Sequence, residues 1–337
     1  MMLQSNEIFT LSIESSCDDT SAAILCNDIV LSNIVATQKI HEQYGGVVPE
    51  LASRAHQQNI VAVVDVALKK AQISMSQLSA IAFTNGPGLM GSLLVGSSFA
   101  KTMSMGLNIP LIAVNHMQAH VAAHYIDNKP SFPFLCLTVS GGHTQIILVR
   151  DYLTMEVLGQ TIDDAVGEAF DKAAKVMKLP YPGGPLIDKY AQEGDPLKYI
   201  FPMPAPNSLN YSFSGIKTAF LNFINKNVQT NEDFVAEELA NICASYQNHL
   251  VNYLLKVFLM ASQKHNIKVL CIAGGVSANS GLRKSMLQLQ SEGYSTYIPK
   301  FEYCTDNAAM IGIVGYYKYL QHDFSEVSVM PYSRTGV

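Results

Sequence analysis

The sequence has few charged residues and no strong excess of either sign. Only 15% of its 337 residues are Asp, Glu, Lys or Arg, and the formal net charge is -5 at pH 7. Proteins that hold nucleic acid by bulk electrostatics are strongly basic, so this class is excluded. Any nucleic-acid partner must be bound by a local patch or with the help of another subunit.

The six cysteines are scattered, with no C-x-x-C pair and no spacing typical of a disulfide framework. We expect most of them to be small buried hydrophobic groups in a reducing compartment. The first residues lack a basic start followed by an apolar run, and no stretch reaches the ~18 uninterrupted apolar residues of a membrane span. The sequence therefore predicts a cytoplasmic protein without a membrane segment.

Apolar runs rich in β-branched residues alternate with longer helical patterns, which predicts an α/β fold with room for two domains. The predicted strands lie at 8–14, 20–26, 80–84, 110–114, 134–139, 144–150 and 268–273. The predicted helices lie at 49–72, 91–105, 164–178, 184–193, 214–226, 232–265, 279–291 and 306–321.

Two segments resemble each other within the chain. FTLSIESSCDDTSAAIL and FLCLTVSGGHTQIILV each contain an apolar strand, a small polar turn and a second apolar strand. They are either two ordinary hairpins or the starts of two duplicated α/β lobes, each with a turn that faces a phosphate. Three more loops rich in Gly, Ser or Asn, at 85–92, 180–185 and 273–279, favour the duplicated lobes.

Glycine allows the backbone to approach a ligand closely, so that successive amides can converge on an anion. In VSGGHT, the amides of Ser140, Gly141 and Gly142 are expected to be free to point at a phosphate. The loop AGGVSAN lies between a predicted strand and a predicted helix, where the helix N-terminus favours negative charge. One glycine turn is weak evidence, but four in one α/β chain favour a phosphate-bearing ligand.

Polar side chains near these loops are candidates for the rest of a nucleotide site. A carboxylate often accepts hydrogen bonds from ribose hydroxyls, and Asp171 and Asp188 are candidates for that role. Most acidic residues on such helices are simply solvated, however. Asn279 lies at a predicted helix start, so it is either an N-cap or a ligand contact.

His116 and His120 in NHMQAH are four residues apart, and Asp306 lies far downstream in CTDNAAM. On a helix over 115–127 the two imidazoles share one face, with roughly 5–6 Å between their Cβ atoms. Two imidazoles and one carboxylate can bind a metal ion and leave positions open for water or substrate. The alternative is an ordinary polar helix face. A peptidase site is disfavoured because Met117 replaces the glutamate of H-E-x-x-H.

Seven motifs together resemble one family. NHMQAH, VSGGHTQI, GEAFDKAAK, PYPGGP, FSGIKTA, AGGVSAN and CTDNAAM occur in this order over nearly the whole chain. They resemble the tRNA N6-adenosine threonylcarbamoyltransferases, once described as O-sialoglycoprotein endopeptidases, in their bacterial form. The resemblance implies an actin-like fold, of the type in Hsp70 and sugar kinases, with two duplicated lobes and a nucleotide cleft. The implied domains are 1–115, a second lobe with a helical insertion over 116–305, and a returning tail over 306–337.

The family's functional residues can be placed on this sequence through these motifs. Its metal ligands correspond to His116, His120 and Asp306. Its nucleotide-contacting residues correspond to Thr138, Val139, Ser140, Gly141, Gly142, Asp171, Gly184, Asp188 and Asn279. Archaeal and eukaryotic relatives have a tyrosine at the position of Thr138 that can join the metal shell. Threonine is too short for this, so we expect a more open metal site here.

The resemblance implies transfer of a threonylcarbamoyl group from threonylcarbamoyl-AMP to the exocyclic amine of the adenosine beside the anticodon, in tRNAs that read codons beginning with A. AMP is released. The implied cofactor is one divalent metal ion per subunit, with Fe²⁺ favoured and Zn²⁺ the alternative. The implied partners are tRNA, a paralogous actin-like subunit and a small P-loop ATPase, of the TsaB and TsaE types.

No covalent nucleophile is expected, because the mixed anhydride of the donor is already activated. Ser140 and Cys17 therefore have turn or packing roles in this interpretation. Two other functions stay open from the residues alone: an ATPase or phosphotransferase of the actin-like superfamily, and a metallopeptidase. A scaffold without catalysis is a further alternative, although it has no reason to keep the metal residues and every glycine loop.

Overall fold

The structure is a computed structural model of the chain, and it describes residues 7–203 and 208–334. The chain forms two compact units. The first comprises the described residues up to Lys129 together with those from Lys300 onward, and the second comprises Pro130–Pro299. The domain boundaries expected from the sequence, at 115/116 and 305/306, stay a prediction.

Within its described residues, each unit contains one five-stranded sheet. The strands of the first unit are β1 (Phe9–Glu14), β2 (Asp19–Cys26), β3 (Ile29–Thr37), β4 (Ala80–Gly86) and β5 (Leu111–Asn115). The strands of the second unit are β6 (Phe134–Val139), β7 (Thr144–Val149), β8 (Met155–Gln160), β9 (Val269–Ala273) and β10 (Ser295–Tyr297).

The two sheets have the same topology. The first has the order β3-β2-β1-β4-β5, in which β1, β2 and β3 are antiparallel neighbours and β4 and β5 run parallel to β1. The second has the order β8-β7-β6-β9-β10 with the same pattern of antiparallel and parallel pairs. The predicted duplication of an α/β lobe is confirmed, and each hairpin opens its own sheet.

The helices connect these strands and cover the sheets. In the described ranges they are α1 (Pro49–Ala71), α2 (Met90–Leu107), α3 (His116–Ala122), α4 (His124–Asp127), α5 (Val166–Val176), α6 (Gly183–Ala191), α7 (Ser214–Thr230), α8 (Phe234–His265), α9 (Ser280–Gln288) and α10 (Ala308–Leu320). The predicted helix over 115–127 is wrong as one element, because it breaks at Ala123 into α3 and α4. Both histidines of the pair still lie on α3.

The sheet of the first unit is covered on both faces. Leu11 and Ile13 of β1 point to the apolar clusters under α1 and α2, whereas Ser12 donates a hydrogen bond to the carbonyl of Ala308 at the start of α10. Every residue of β4 is buried, as expected for a central strand between two helical layers. The alternation along β1 therefore fixes which face carries α10.

Three observed strands, β3, β8 and β10, were not predicted from the sequence. β8 is largely exposed and β10 has only three residues, so neither has the continuous apolar pattern that identified the central strands. β3 lies at the edge of its sheet and mixes apolar residues with Ser32 and Asn33. Edge strands are covered on fewer sides, and their sequences are less constrained.

The core of the second unit forms around α8, a helix of 32 residues. Aromatic side chains of this helix pack against α5 and α7, and the hydroxyl of Tyr246 donates to the carbonyl of Ala169 at 3.1 Å. Among the helices in the described ranges, none has both the length and the apolar character needed to cross a membrane.

Gly274, after β9, permits the loops of the second unit to pack closely. Its φ is 87° and its ψ is 167°, a region that essentially only glycine adopts. A Cβ atom there would lie 2.4 Å from the carbonyl oxygen of Val139 at the end of β6. Two loops can therefore approach each other at the carboxyl ends of β6 and β9.

We predict that Gly274→Ala lowers the free energy of unfolding by about 3 kcal/mol, because it adds backbone strain and a clash with the Val139 carbonyl. Chemical denaturation measures this loss. Gly275→Ala is the matched control, since nothing lies within 4 Å of a Cβ atom at Gly275 and its φ is not in the left-handed region. Equal stability of the two variants would contradict the prediction.

Candidate metal centre and glycine loops

The helix that carries the histidine pair starts directly after β5. Asn115 caps it, because its Oδ1 accepts hydrogen bonds from the amides of Met117 at 2.9 Å and Gln118 at 3.0 Å. His116 is the first residue of α3, and His120 follows one turn later. Their rings are 4.6 Å apart between centroids and nearly perpendicular, so both point to one side of the helix.

Asp306 lies beside this pair. Its Oδ1 is 3.5 Å from Nε2 of His116 and 3.2 Å from Nε2 of His120. One ligand atom from each of the three residues lies within 4.8 Å of the others. The predicted juxtaposition of a distant carboxylate with the histidine pair is therefore present in the first unit.

The start of α10 determines the position of Asp306. Asn307 caps this helix by accepting a hydrogen bond from the amide of Met310 at 3.1 Å. The amide of Ala308 donates to Ser21 Oγ at 2.8 Å, and its carbonyl accepts from Ser12 Oγ at 2.7 Å. The residue before the cap is therefore held against β1 and β2.

The donor set fits a divalent metal ion. The His120 side chain is 1% exposed, and neither of its ring nitrogens makes a hydrogen bond within the described residues. A buried nitrogen without a hydrogen-bond partner is costly unless something else uses its lone pair. A metal ion on the Nε2 atoms and the carboxylate would do so, and three protein ligands leave positions open.

A second carboxylate lies behind His116. Glu14, at the end of β1, is fully buried, and its Oε2 accepts a hydrogen bond from His116 Nδ1 at 3.0 Å. The same carboxylate accepts from Thr84 Oγ1 at 2.6 Å and from the amide of Ser16 at 2.5 Å. A carboxylate on the far nitrogen of a metal-binding histidine fixes the ring and directs the other nitrogen to the metal.

The electrostatics of this group follow from its burial and its opposite charges. Burial alone would lower the pKa of His116, but Glu14 and Asp306 raise that pKa to about 9. Burial alone would raise the pKa of Glu14, but the neighbouring His116 lowers it. Two carboxylates thus favour positive charge at this position, which is the charge that a metal cation would supply.

The β6–β7 turn in the second unit differs in part from expectation. The amide of Ser140 was expected to be free, but it donates to the carbonyl of His143 at 2.8 Å. Ser140 also accepts at its carbonyl from the amide of Gly167, so this residue closes the turn. Within the described residues, the amides of Gly141 and Gly142 make no hydrogen bond, and both residues are exposed.

Thr138 and Val139 precede this turn on β6, and their side chains are fully buried. Gly274 packs against Val139, so the loop after β9 lies beside the loop after β6. Ligands of open α/β sheets bind at such carboxyl ends of parallel strands.

The remaining candidates of the second unit form intrachain hydrogen bonds. Asn279 caps α9 by accepting from the amide of Leu282 at 3.0 Å, and it donates to Gln247 Oε1 at 2.7 Å. Asp188 accepts from the amide and the hydroxyl of Ser280, the latter at 2.6 Å. These contacts connect α6, α8 and the start of α9.

Asp171 is connected to the start of α6. Its Oδ1 accepts from the amides of Gly183 at 2.8 Å and Gly184 at 3.2 Å. Burial raises the pKa of Asp171, although these two amides act in the opposite direction. The nine predicted nucleotide contacts therefore all lie on connected segments of the second unit.

Sequence comparison decides the family. The profile of TsaD, tRNA N6-adenosine threonylcarbamoyltransferase, matches residues 29–313. A protein with that name from Christiangramia forsetii is 61% identical over 337 residues, which cover 98% of this chain and 99% of the relative. One from Cytophaga hutchinsonii is 57% identical over 336 residues, which cover 99% of this chain and 98% of the relative. The chain belongs to the threonylcarbamoyltransferase family.

The fold is the predicted actin-like α/β fold. The crystal structure of HypF from T. kodakarensis matches it with a TM-score of 0.61 at 14% identity, over 96% of this chain and 49% of that chain. At this identity the likeness shows the fold alone. Membership in the threonylcarbamoyltransferase family makes the chain an acyltransferase that modifies adenosine in tRNA, as the sequence motifs predicted.

Glu14 is the residue that sequence reasoning missed in this threonylcarbamoyltransferase. The available signal was an acidic residue at the end of an apolar strand, directly before the polar turn SSCDD. A carboxylate at a fully buried position needs a partner, but the sequence does not show which residue provides it.

Cys17 in the same turn has a carbonyl that accepts from Ser92 Oγ, and burial raises the pKa of its thiol.

We predict that Glu14→Gln weakens metal binding about 10- to 100-fold, because the charge that orients His116 is lost while the shape of the side chain stays. The measurement is the dissociation constant of the metal by competition with a chelator. Glu50→Gln is the control, since Glu50 pairs with Arg54 on the exposed face of α1. Equal affinities of both variants and the native chain would contradict the role of Glu14.

Proposed function

We propose that His116, His120 and Asp306 bind one divalent metal ion and that this centre receives the threonylcarbamoyl half of threonylcarbamoyl-AMP. The observation that carries the proposal is the group of three ligand atoms within 4.8 Å, with Glu14 behind His116. When bound, the metal ion supplies a Lewis acid that polarises the carbamoyl carbonyl and stabilises negative charge on its oxygen.

The AMP half is proposed to bind in the second unit. The amides of Gly141 and Gly142 suit a phosphate, because successive backbone amides form an anion-binding concavity. Asp171 and Asp188 suit the ribose hydroxyls, and Gly184 and Asn279 lie at the starts of α6 and α9, to which these two carboxylates are hydrogen-bonded. Thr138, Val139 and Ser140 are assigned a backbone role, since they shape the turn that carries the two glycines.

The reaction needs no covalent intermediate. The exocyclic amine of adenosine attacks the carbamoyl carbon, the bond from that carbon to the phosphate oxygen breaks, and AMP leaves with the electron pair. The amine gives up one proton to complete the transfer. The mixed anhydride is already activated, so the protein residues act by holding and orienting the donor rather than by forming an ester.

Two imidazoles and one carboxylate with open positions suit Fe²⁺, and Zn²⁺ is the alternative for the same donors. Actin-like ATPases and kinases hold Mg²⁺ through carboxylates and water, so the histidine pair argues against an ATPase as the main activity. A metallopeptidase also lacks support, because the buried Met117 occupies the position of its general base.

Partners are proposed on chemical grounds. The net charge of -5 gives the chain a weak electrostatic hold on tRNA, which supports help from other subunits. The resemblance suggests a paralogous actin-like protein and a small P-loop ATPase, of the TsaB and TsaE types. The tRNA substrate supports a cytoplasmic location. Bases of an anticodon loop are unstacked at low cost, which suits an enzyme that acts on the amine of one adenosine.

We predict that His116→Ala loses bound metal and lowers threonylcarbamoyl transfer at least 100-fold. Elemental analysis of protein prepared without oxygen identifies the ion, and transfer of labelled threonine from the adenylate to tRNA, with partners present, measures activity. His265→Ala, on the last turn of α8, is the control. Full transfer by a metal-free variant would refute the metal's catalytic role, and rapid tRNA-independent ATP hydrolysis would favour the ATPase.

We predict that Asp171→Ala weakens AMP binding about tenfold, because the variant loses a ribose acceptor and the cap on α6. Titration calorimetry with AMP measures the affinity, and thermal unfolding shows how far the lost cap lowers stability. Glu168→Ala, one turn earlier on α5, removes an acid that pairs with Lys172 on the surface. Unchanged AMP affinity in Asp171→Ala would remove this residue from the site.

A further inference from the structure

Residues 321–334, which we name the C-terminal strap, run along the first unit after α10. The amide of Ser325 donates to the carbonyl of Leu111 at 2.8 Å, and Ser325 Oγ accepts from the amide of Ala113 at 3.0 Å. The Lys101 ammonium donates to the carbonyl of Val329. The Ser325 contacts place the strap at the outer edge of β5, the strand that leads into α3, and the Lys101 contact connects it to α2.

The strap ends its described course beside the loop after β4. The amide of Tyr332 donates to the carbonyl of Asn85 at 3.0 Å, and the amide of Gly88 donates to the carbonyl of Ser333 at 3.3 Å. The ring of Tyr332 lies so close to Gly86 that a Cβ atom on this glycine would be 2.9 Å from Cδ2 of the ring. The backbone and the ring of Tyr332 are therefore held by contacts that do not involve its hydroxyl.

The hydroxyl of Tyr332 accepts a hydrogen bond from Asn115 Nδ2 at 2.8 Å. The Oδ1 atom of the same Asn115 side chain caps α3, so both the oxygen and the nitrogen of its carboxamide make hydrogen bonds. The oxygen faces two amides of the helix and the nitrogen faces the strap. Because the next residue is His116, this carboxamide connects the strap to the first turn of the metal-binding helix.

We propose that Tyr332 is a positioning residue for the metal centre: it anchors the Asn115 cap and thereby fixes His116 relative to Asp306. The proposal rests on the proposed function, since it requires that these residues bind a metal ion. Of the three ligands, His116 would be displaced most by a shift of the helix start, because it is the first residue of α3. Glu14 orients the His116 ring from β1, whereas Tyr332 fixes the backbone that carries it.

The test uses the full chain loaded with Co²⁺, whose visible absorption reports ligand geometry and whose dissociation constant is measured by competition with a chelator. Tyr332→Phe keeps the ring against Gly86 and removes only the hydroxyl. We expect metal binding to weaken about five- to tenfold, with a changed absorption band and an unchanged unfolding temperature.

Tyr319→Phe is the matched control, because this tyrosine of α10 packs on Phe324 and its hydroxyl makes no hydrogen bond within the described residues. A second variant separates a positioning role from general packing. Asn115→Ser keeps a capping oxygen but is too short to reach Tyr332. If Tyr332 acts through Asn115, adding Tyr332→Phe to Asn115→Ser causes no further loss of metal affinity.

The outcomes are distinct. Metal affinity of Tyr332→Phe within twofold of the native chain would overturn the proposal, as would equal losses on the native and Asn115→Ser backgrounds. If the native chain and His116→Ala bind Co²⁺ equally, the metal centre itself is wrong and this inference fails with it. Native binding that depends on His116 but not on Tyr332 would leave the proposed function in place and remove only the strap's role.

Discussion

The hydrogen bond between the buried carboxylate of Glu14 and His116 connects the central strand of the first sheet to the helix that carries the histidine pair. A buried carboxylate is tolerated only when its hydrogen bonds are complete, and here Thr84 and the amide of Ser16 complete them. The ends of β1 and β4 and the start of α3 therefore have to meet at one point. Asp306 adds the last carboxylate from the start of α10.

The duplication of the sheet gives one chain two places with the same strand arrangement and different polar groups. In both units the hairpin that opens the sheet and the loop after the next parallel strand lie at the carboxyl ends of the central strands. In the first unit the hairpin follows Glu14 and supports a cluster of imidazoles and carboxylates. In the second unit the corresponding turn contains Gly141 and Gly142 and offers backbone amides. The same scaffold thus presents donors suited to a cation in one unit and to an anion in the other.

Much of this arrangement could be predicted from the sequence. The central strands and the hairpins follow from apolar runs, because strands buried on both faces leave little choice of residue. The His116–His120 pair follows from helical spacing, since the two imidazoles lie one turn apart on the same helix. Asp306 came from the motif CTDNAAM rather than from any local rule, because its neighbours in space come from distant strands.

The predictions that were wrong or incomplete have physical causes as well. The amide of Ser140 is used by the turn itself, and this depends on a geometry that the letters SGGHT do not specify. The break between α3 and α4 at Ala123 occurs where no glycine or proline marks it. The role of Glu14 was not predicted, because it depends on which side chain is buried beside its carboxylate. Local patterns identify elements, whereas contacts between elements decide what each polar group does.

The order of the chain adds one more consequence. The second unit is inserted between Lys129 and Lys300, so the two imidazoles are synthesised before it and the carboxylate of Asp306 after it. A nascent polypeptide that has produced the whole second unit still lacks the third residue of the proposed metal site. The proposed metal site can therefore be complete only late in synthesis, and a product that ends before Asp306 would lack its carboxylate.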